Sequence, residues 1–213
     1  YRYVPVDLAP YGHAPVRVAA LERAARKGNA APIVLVYRNP IGQAQSYMRY
    51  CRNHKDSGYN TISGRPLSAV PFREYLLGHA LPSYAKQFIS FHALAQKFPH
   101  QVLLVPYERL EQEPVEVLAG ILDHLARSAR PRPALADAVH LARREHMKAV
   151  EKELGRSLDG TRKNSSSHIT QMKGSSTDAR IDGRTLADAQ AMLRDMGLNT
   201  EMFEWPAADK TVS

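Results

Sequence analysis

The pattern Arg38-Asn39-Pro40 with Ser46 downstream is the strongest candidate for chemistry in the sequence. An arginine guanidinium is a planar fork that can hold a phosphate through two hydrogen bonds. Asn39 and Pro40 are residues favoured at a helix N-cap and at the first helical position. A helix N-terminus attracts anions, and Ser46, two turns along, can donate to the same phosphate. The pattern predicts an anion site, and a carboxylate partner for Arg38 remains the open alternative.

Two further segments carry candidate site residues. Tyr107 follows the apolar run 102–105, where a tyrosine at the end of a strand can seal the core. Lys173 and Gly174 lie in a basic, polar segment. Lysine supplies charge, and glycine lets a backbone N–H approach an anion closely. An ordinary flexible basic loop is the alternative for this second pair.

These residues follow elements whose pattern is typical of an α/β domain. The runs 33–36 and 102–105 are short, apolar and rich in β-branched or leucine residues, which indicates buried strands of a parallel sheet. Helices are predicted at 16–26, 40–53, 72–77, 84–98 and from Pro114 onward. Strands that alternate with helices predict βαβ units with right-handed crossovers.

The carboxyl-terminal half is predicted to be helical around one long loop. A charged helix is expected after Pro133 as far as Leu154, and residues 155–183 are expected to form a loop. A last helix is predicted at 185–196, ended by Gly197. Residues 56–68, rich in Gly, Ser and Asn, should form another loop. With no repeat and no clear linker, residues 1–213 are predicted to be one domain.

Composition bounds the class of protein. The 213 residues are 44% hydrophobic, which allows a packed core, and no run approaches the ~20 apolar residues of a membrane span. Cys51 is the only cysteine, so a cytoplasmic location is predicted. The 29 basic and 21 acidic side chains give a charge of +8, which favours an anionic partner. The nine histidines show no metal-ligand spacing, so no metal is expected.

In order and separation, these segments resemble those of sulfotransferases that use 3′-phosphoadenosine-5′-phosphosulfate (PAPS). The resemblance rests on the 33–40 segment with Ser46, on the 102–108 segment ending in Tyr-Glu, and on Lys173-Gly174. It implies that Arg38 and Ser46 bind the 3′-phosphate, that Tyr107 contacts the adenine, and that the Lys173 loop closes over that phosphate. Two departures are Gly42, where the family often has Asp, and Met172, where it has Arg.

The resemblance leaves the catalytic base open. Tyr3 stands where the family has a histidine, but a tyrosine is a weak base near neutral pH unless its pKa is strongly lowered. His13 is the fallback in the same region. No Lys-containing loop for the 5′-phosphosulfate precedes residue 33, and this element is expected to lie upstream of Tyr1.

The sequence therefore predicts a three-layer α/β fold, a parallel sheet flanked by helices and similar to P-loop nucleotide-binding folds. The implied reaction transfers a sulfuryl group from PAPS to a hydroxyl or amine of a small-molecule or carbohydrate acceptor. Neither a nucleic-acid partner nor a membrane span is expected. Two alternatives stay open: another α/β nucleotide-dependent transferase of the kinase kind, and a non-enzymatic module that binds polyanions through its basic surface.

Overall fold

A computed structural model describes residues 18–27, 32–53, 61–62, 64–125, 131–154 and 181–209. In chain order the elements are α1 (Val18–Arg26), β1 (Ile33–Tyr37), α2 (Pro40–Asn53), β2 (Thr61–Ile62), β3 (Arg65–Pro66), a 3-10 turn (Leu67–Ala69), α3 (Phe72–Tyr75), a π-helical turn (Leu76–Ala80), α4 (Leu81–Lys97), β4 (Val102–Pro106), α5 (Tyr107–Gln112), α6 (Pro114–His124), α7 (Arg132–Leu141), α8 (Arg144–Leu154), β5 (Ile181–Asp182), α9 (Gly183–Asp195), a second 3-10 turn (Thr200–Met202) and β6 (Ala208–Asp209).

The sheet that positions the site consists of β1 and β4. They pair in parallel, with Ile33 opposite Val102 and Tyr37 opposite Pro106. Because parallel strands end at the same edge, Arg38 and Tyr107 leave the sheet side by side. The α/β character is confirmed. Within the described ranges this parallel sheet has two strands, so the three-layer arrangement stays a prediction.

Strand β1 is partly buried along its length except at Val36. Leu35 and Tyr37 pack against the main core, whereas Val36 is 46% exposed. Successive side chains of a strand point to opposite faces, so Val36 lies on the face opposite to Leu35 and Tyr37. The prediction of a strand buried on both faces is therefore wrong at Val36.

One helical segment runs without a break from residue 72 to residue 97, where two separate helices were predicted. The π-helical turn joins α3 to α4, and the Leu81 N–H donates to the Leu76 carbonyl five residues back. Pro82, the second residue of α4, has no N–H to bond to the turn before it. Leu76 and Leu81 are both fully buried, so the wide turn places two core residues on one face.

The single helix predicted after Pro133 is two helices, α7 and α8. The Arg143 N–H donates to the His140 carbonyl, a tight bond that closes α7 before α8 begins. Residues 155–180 of the predicted 155–183 loop lie outside the described residues, and Ile181–Asp182 form β5 where loop was predicted. Asp182 caps α9 by accepting a hydrogen bond from the Thr185 N–H at 2.8 Å, so that helix begins at Gly183.

The predicted end of the last helix at Gly197 is confirmed. Gly197 has φ +84°, a left-handed conformation that suits glycine. Its N–H donates to the Arg194 carbonyl, and the Leu198 N–H donates to the Leu193 carbonyl. This is the Schellman arrangement, in which buried Leu198 also packs near buried Leu193. It directs the chain after α9 back toward the core.

Candidate functional site

The turn between β1 and α2 is built around Asn39. Its side-chain Oδ1 accepts hydrogen bonds from the Ile41 N–H at 2.9 Å and the Gly42 N–H at 3.4 Å, so Asn39 is the N-cap of α2. Pro40 is the first helical residue, as predicted. Arg38 therefore stands immediately before a capped helix N-terminus, where the helix dipole favours an anion.

The end of β4 completes one side of this turn. The Glu108 carboxylate accepts a hydrogen bond from the Asn39 N–H at 3.0 Å. Next to it, Tyr107 presents its ring to Arg38, whose guanidinium carbon lies 4.9 Å from the ring centroid. A cation at this distance from an aromatic ring is attracted by the ring quadrupole. The structure thus brings together two of the residues that the sequence analysis singled out.

Gly42 makes room for the Arg38 side chain. A Cβ on Gly42 would lie 3.2 Å from Arg38 Nε and 3.7 Å from Arg38 Cζ, closer than ordinary van der Waals contact for the first pair. The arginine therefore lies along the first turn of α2. The departure at Gly42 leaves the space that the guanidinium occupies.

The Arg38 Nε is buried and has no hydrogen-bond partner among the described residues. A buried N–H without a partner costs about 1–3 kcal/mol, so such groups are rare unless a ligand satisfies them. The Nε and one terminal nitrogen form the edge of the guanidinium that matches two oxygens of a phosphate. An oxyanion at this edge would satisfy the unbonded donor.

Ser46 lies on the same face of α2 as Gly42, one helical turn farther along. It is half-buried. Since Gly42 contacts the Arg38 side chain, Ser46 lies one helical turn beyond that contact on the same face of α2. The hydroxyl contact with a phosphate stays a prediction.

Tyr107 is half-buried, and burial is the main cause that raises the pKa of its hydroxyl. The Glu111 carboxylate raises this pKa further, by its charge and by a hydrogen bond with the hydroxyl. The hydroxyl therefore stays protonated and donates to the Glu111 carboxylate, while one face of the ring lies against Arg38. Its predicted contact with adenine remains a prediction.

Tyr84 is a site residue that the sequence analysis missed. Its hydroxyl donates to the Arg38 carbonyl at 2.8 Å. Burial, with Tyr37 and the Glu108 carboxylate nearby, raises the pKa of Tyr84 far above its usual value, so the hydroxyl stays a donor. The residue lies in α4, and no local pattern around Arg38 pointed to it.

Four other predicted site residues, Tyr3, His13, Lys173 and Gly174, lie outside the described residues. Their roles stay predictions. In the described ranges no three His, Cys, Asp or Glu side chains are grouped so that they could hold a metal. Nor is any helix within those ranges long and apolar enough to cross a membrane.

Comparison with known protein families gives one match. The family model described as "Sulfotransferase domain" matches residues 15–189, most of the 213-residue chain. The chain belongs to the sulfotransferase family. This confirms the resemblance drawn from the 33–46 and 102–108 segments, and it supports sulfuryl transfer as the general activity. No curated protein matches the sequence.

Proposed function

We propose that the protein transfers a sulfuryl group from PAPS to a hydroxyl or amine of a small-molecule or carbohydrate acceptor. The observation that carries the proposal is the placement of Arg38. Its guanidinium lies over the Tyr107 ring at the N-terminus of α2, and its Nε has no hydrogen-bond partner in the part of the chain that the structure describes. These features fit a ligand that offers phosphate oxygens beside an aromatic ring system. The fold expected for this activity is a three-layer α/β arrangement, in which a parallel sheet is flanked by helices.

The ligand group assigned to Arg38 is the 3′-phosphate of the donor. A phosphate monoester carries up to two negative charges, which suits a guanidinium beside a helix N-terminus. Ser46 would donate from the next turn of α2, and Lys173 with Gly174 would close over the same group. Tyr107 would lie between the phosphate site and the adenine.

The 3′-phosphate does not take part in the reaction, and its binding sets the position of the donor. In sulfuryl transfer the acceptor oxygen or nitrogen bonds to sulfur while the bond from sulfur to the 5′-phosphate oxygen breaks. The acceptor proton passes to a base, for which Tyr3 and His13 are the candidates. Anchoring the distant 3′-phosphate holds sulfur in line with the acceptor, and such positioning is a large part of catalysis in comparable phosphoryl transfers.

Calorimetric titration tests the proposal with 3′-phosphoadenosine-5′-phosphate against 5′-AMP. We expect the 3′-phosphate to tighten binding by at least about tenfold, since it adds charge-assisted hydrogen bonds. Arg38→Ala should abolish this preference. Arg109→Ala is the matched control, because Arg109 lies on nearby α5, is exposed and pairs with Glu113. Equal affinity of the wild-type protein for the two ligands would contradict the proposal.

The two alternative functions predict different results in the same calorimetric titrations. A kinase-like transferase would prefer ATP over the 3′-phosphorylated nucleotide. A basic module for polyanions would bind without nucleotide selectivity, and its affinity would fall steeply with salt. The family match and the stacked arginine both favour the sulfotransferase.

A further inference from the structure

The chain after α9 is a fixed segment, residues 198–209, that returns to the candidate site. Leu198, Thr200 and Phe203 in it are buried. The Trp205 indole N–H donates to the Thr200 carbonyl at 2.8 Å. Its last residues form β6, which pairs in parallel with β5. The segment is therefore held at its start, middle and end.

Phe203 packs directly behind the Arg38 turn. Its ring centroid lies 6.1 Å from that of Tyr37 and 5.9 Å from that of Tyr84, both in edge-on contacts. Tyr37 precedes Arg38 in β1, and the Tyr84 hydroxyl bonds to the Arg38 carbonyl. Phe88 lies against the same ring at 5.4 Å. Phe203 thus buttresses the two tyrosines that hold the backbone of Arg38.

The next residue contacts the turn itself. The Glu204 carbonyl accepts a hydrogen bond from Asn39 Nδ2 at 2.6 Å. The same Asn39 side chain caps α2 through Oδ1, so both ends of its amide are bonded. One side chain therefore ties the 198–209 segment to the helix N-terminus that faces the anion site.

We propose that the 198–209 segment is a positioning element for nucleotide binding, and that Phe203 is a positioning residue for Arg38. The inference rests on the proposed function, because its ligand is the 3′-phosphorylated nucleotide. The segment follows the matched family region, which ends at residue 189, so the match assigns it no role.

The physical basis is preorganisation. A guanidinium holds two phosphate oxygens only when its plane and its distance are both correct, and a support that fixes the backbone removes motion that binding would otherwise have to arrest. Without the Phe203 ring, Tyr37 and Tyr84 lose a packing partner and the Arg38 backbone gains freedom. The contacts to the rest of the nucleotide are unaffected, so the loss falls on the 3′-phosphate.

The test compares Phe203→Leu with Phe91→Leu. Both residues are buried phenylalanines, 6% and 7% exposed, but no described ring contact links Phe91 to Tyr37 or Tyr84. Titration of each variant with 3′-phosphoadenosine-5′-phosphate and with 5′-AMP gives the ratio of affinities. Phe203→Leu should lower this ratio about tenfold, since small misplacements in a binding group have large effects. Phe91→Leu should lower the melting temperature and leave the ratio unchanged.

Asn39→Ser is the second variant. Serine also caps helices, but it has no amide nitrogen to reach the Glu204 carbonyl. It should lower the ratio in the same direction as Phe203→Leu. A wild-type ratio in Phe203→Leu, at a temperature where the variant is folded, would overturn the inference.

Amide hydrogen exchange separates this inference from the proposed function. Phe203→Leu should speed exchange at Asn39 and Ile41, whose N–H groups bond to Glu108 and to Asn39 Oδ1, and Phe91→Leu should not. If the wild-type protein shows no preference for the 3′-phosphate, the proposed function fails. The positioning role of Phe203 is then tested by amide hydrogen exchange alone. Unchanged exchange rates at Asn39 and Ile41 in Phe203→Leu would refute it.

Discussion

The guanidinium of Arg38 lies over the ring of Tyr107, 4.9 Å from its centre, where the parallel strands β1 and β4 end together. The contact joins the two residues through the register of the sheet rather than through local sequence. A ring at this distance attracts the cation and helps to hold it in place before any ligand binds. The strength of anion binding should therefore depend on the ring as well as on the charge.

Substitution at Tyr107 tests this dependence. Tyr107→Leu removes the cation–π contact, worth about 0.5–2 kcal/mol, and should weaken binding of 3′-phosphoadenosine-5′-phosphate by about 2-fold to 30-fold. Tyr107→Phe keeps the ring and loses only the hydroxyl bonded to Glu111, so it should keep most of the affinity. Calorimetry measures both. Equal losses in the two variants would show that the hydroxyl, not the ring face, carries the effect.

Gly42→Ala should separate folding stability from binding. Alanine favours helices over glycine by up to about 1 kcal/mol, so stability should not fall. The new Cβ would lie 3.2 Å from Arg38 Nε and should displace the guanidinium, which lowers affinity for the 3′-phosphate. Gly120→Ala is the matched control, since nothing lies within 4 Å of a Cβ there.

The Gly120 variant should gain stability and leave nucleotide binding unchanged. Urea unfolding and calorimetry on the two variants measure both quantities. If Gly42→Ala binds as tightly as Gly120→Ala, the close approach of Arg38 to α2 has no functional consequence.

Tyr84→Phe should weaken the fold and change its response to alkali. Loss of the hydroxyl leaves the Arg38 carbonyl without its bond, at a cost of about 1 kcal/mol near neutral pH. In the wild-type protein burial raises the pKa of Tyr84, so the folded state keeps its proton while the unfolded chain ionises at pH ~10. The stabilisation that comes from protonated Tyr84 is fully present below pH ~10 and is lost as the pH rises above that value.

Urea unfolding between pH ~8 and ~11 measures this loss. The decline should be shallower in Tyr84→Phe than in the wild-type protein. It should not vanish, because burial also raises the pKa values of Tyr37 and Tyr107. Parallel stability curves for the two proteins would contradict the assignment of the alkaline response to Tyr84.

Gly197→Ala should destabilise the protein by about 1–2 kcal/mol, because Gly197 has φ +84° and an L-residue with a Cβ is strained there. Gly197→Asn should cost less, since asparagine tolerates this conformation better. Thermal unfolding of the two variants checks the order. If alanine and asparagine have the same effect, the backbone conformation is not the cause.

Sequence patterns around Arg38 and Tyr107 were sufficient to predict the elements that carry these two residues. Asn39 and Pro40 identify the start of α2, and the apolar runs before Arg38 and Tyr107 identify two strands, all confirmed by the structure. Parallel pairing then places the arginine and the tyrosine at one edge. The start of α2 and the two strands depend on neighbours along the chain, where sequence patterns carry information.

The supports of the turn could not be predicted in the same way. The hydrogen bond from Asn39 to the Glu204 carbonyl spans 165 residues and uses a backbone acceptor that every residue possesses. Tyr84 and Phe203 look like ordinary core aromatics in sequence. The exposure of Val36 depends on what lies over the sheet, which a run of apolar residues does not specify.

The π-helical turn fixes the rotational phase of everything that follows it in α4. It holds one residue more than an α-helical turn, and that extra residue rotates α4 by about 100° relative to α3. Deleting one residue from this turn would swing Tyr84 and Phe88 round the helix axis, away from the Arg38 carbonyl and from Phe203. The extra residue in this turn thus orients Tyr84 and Phe88 toward the turn that carries Arg38.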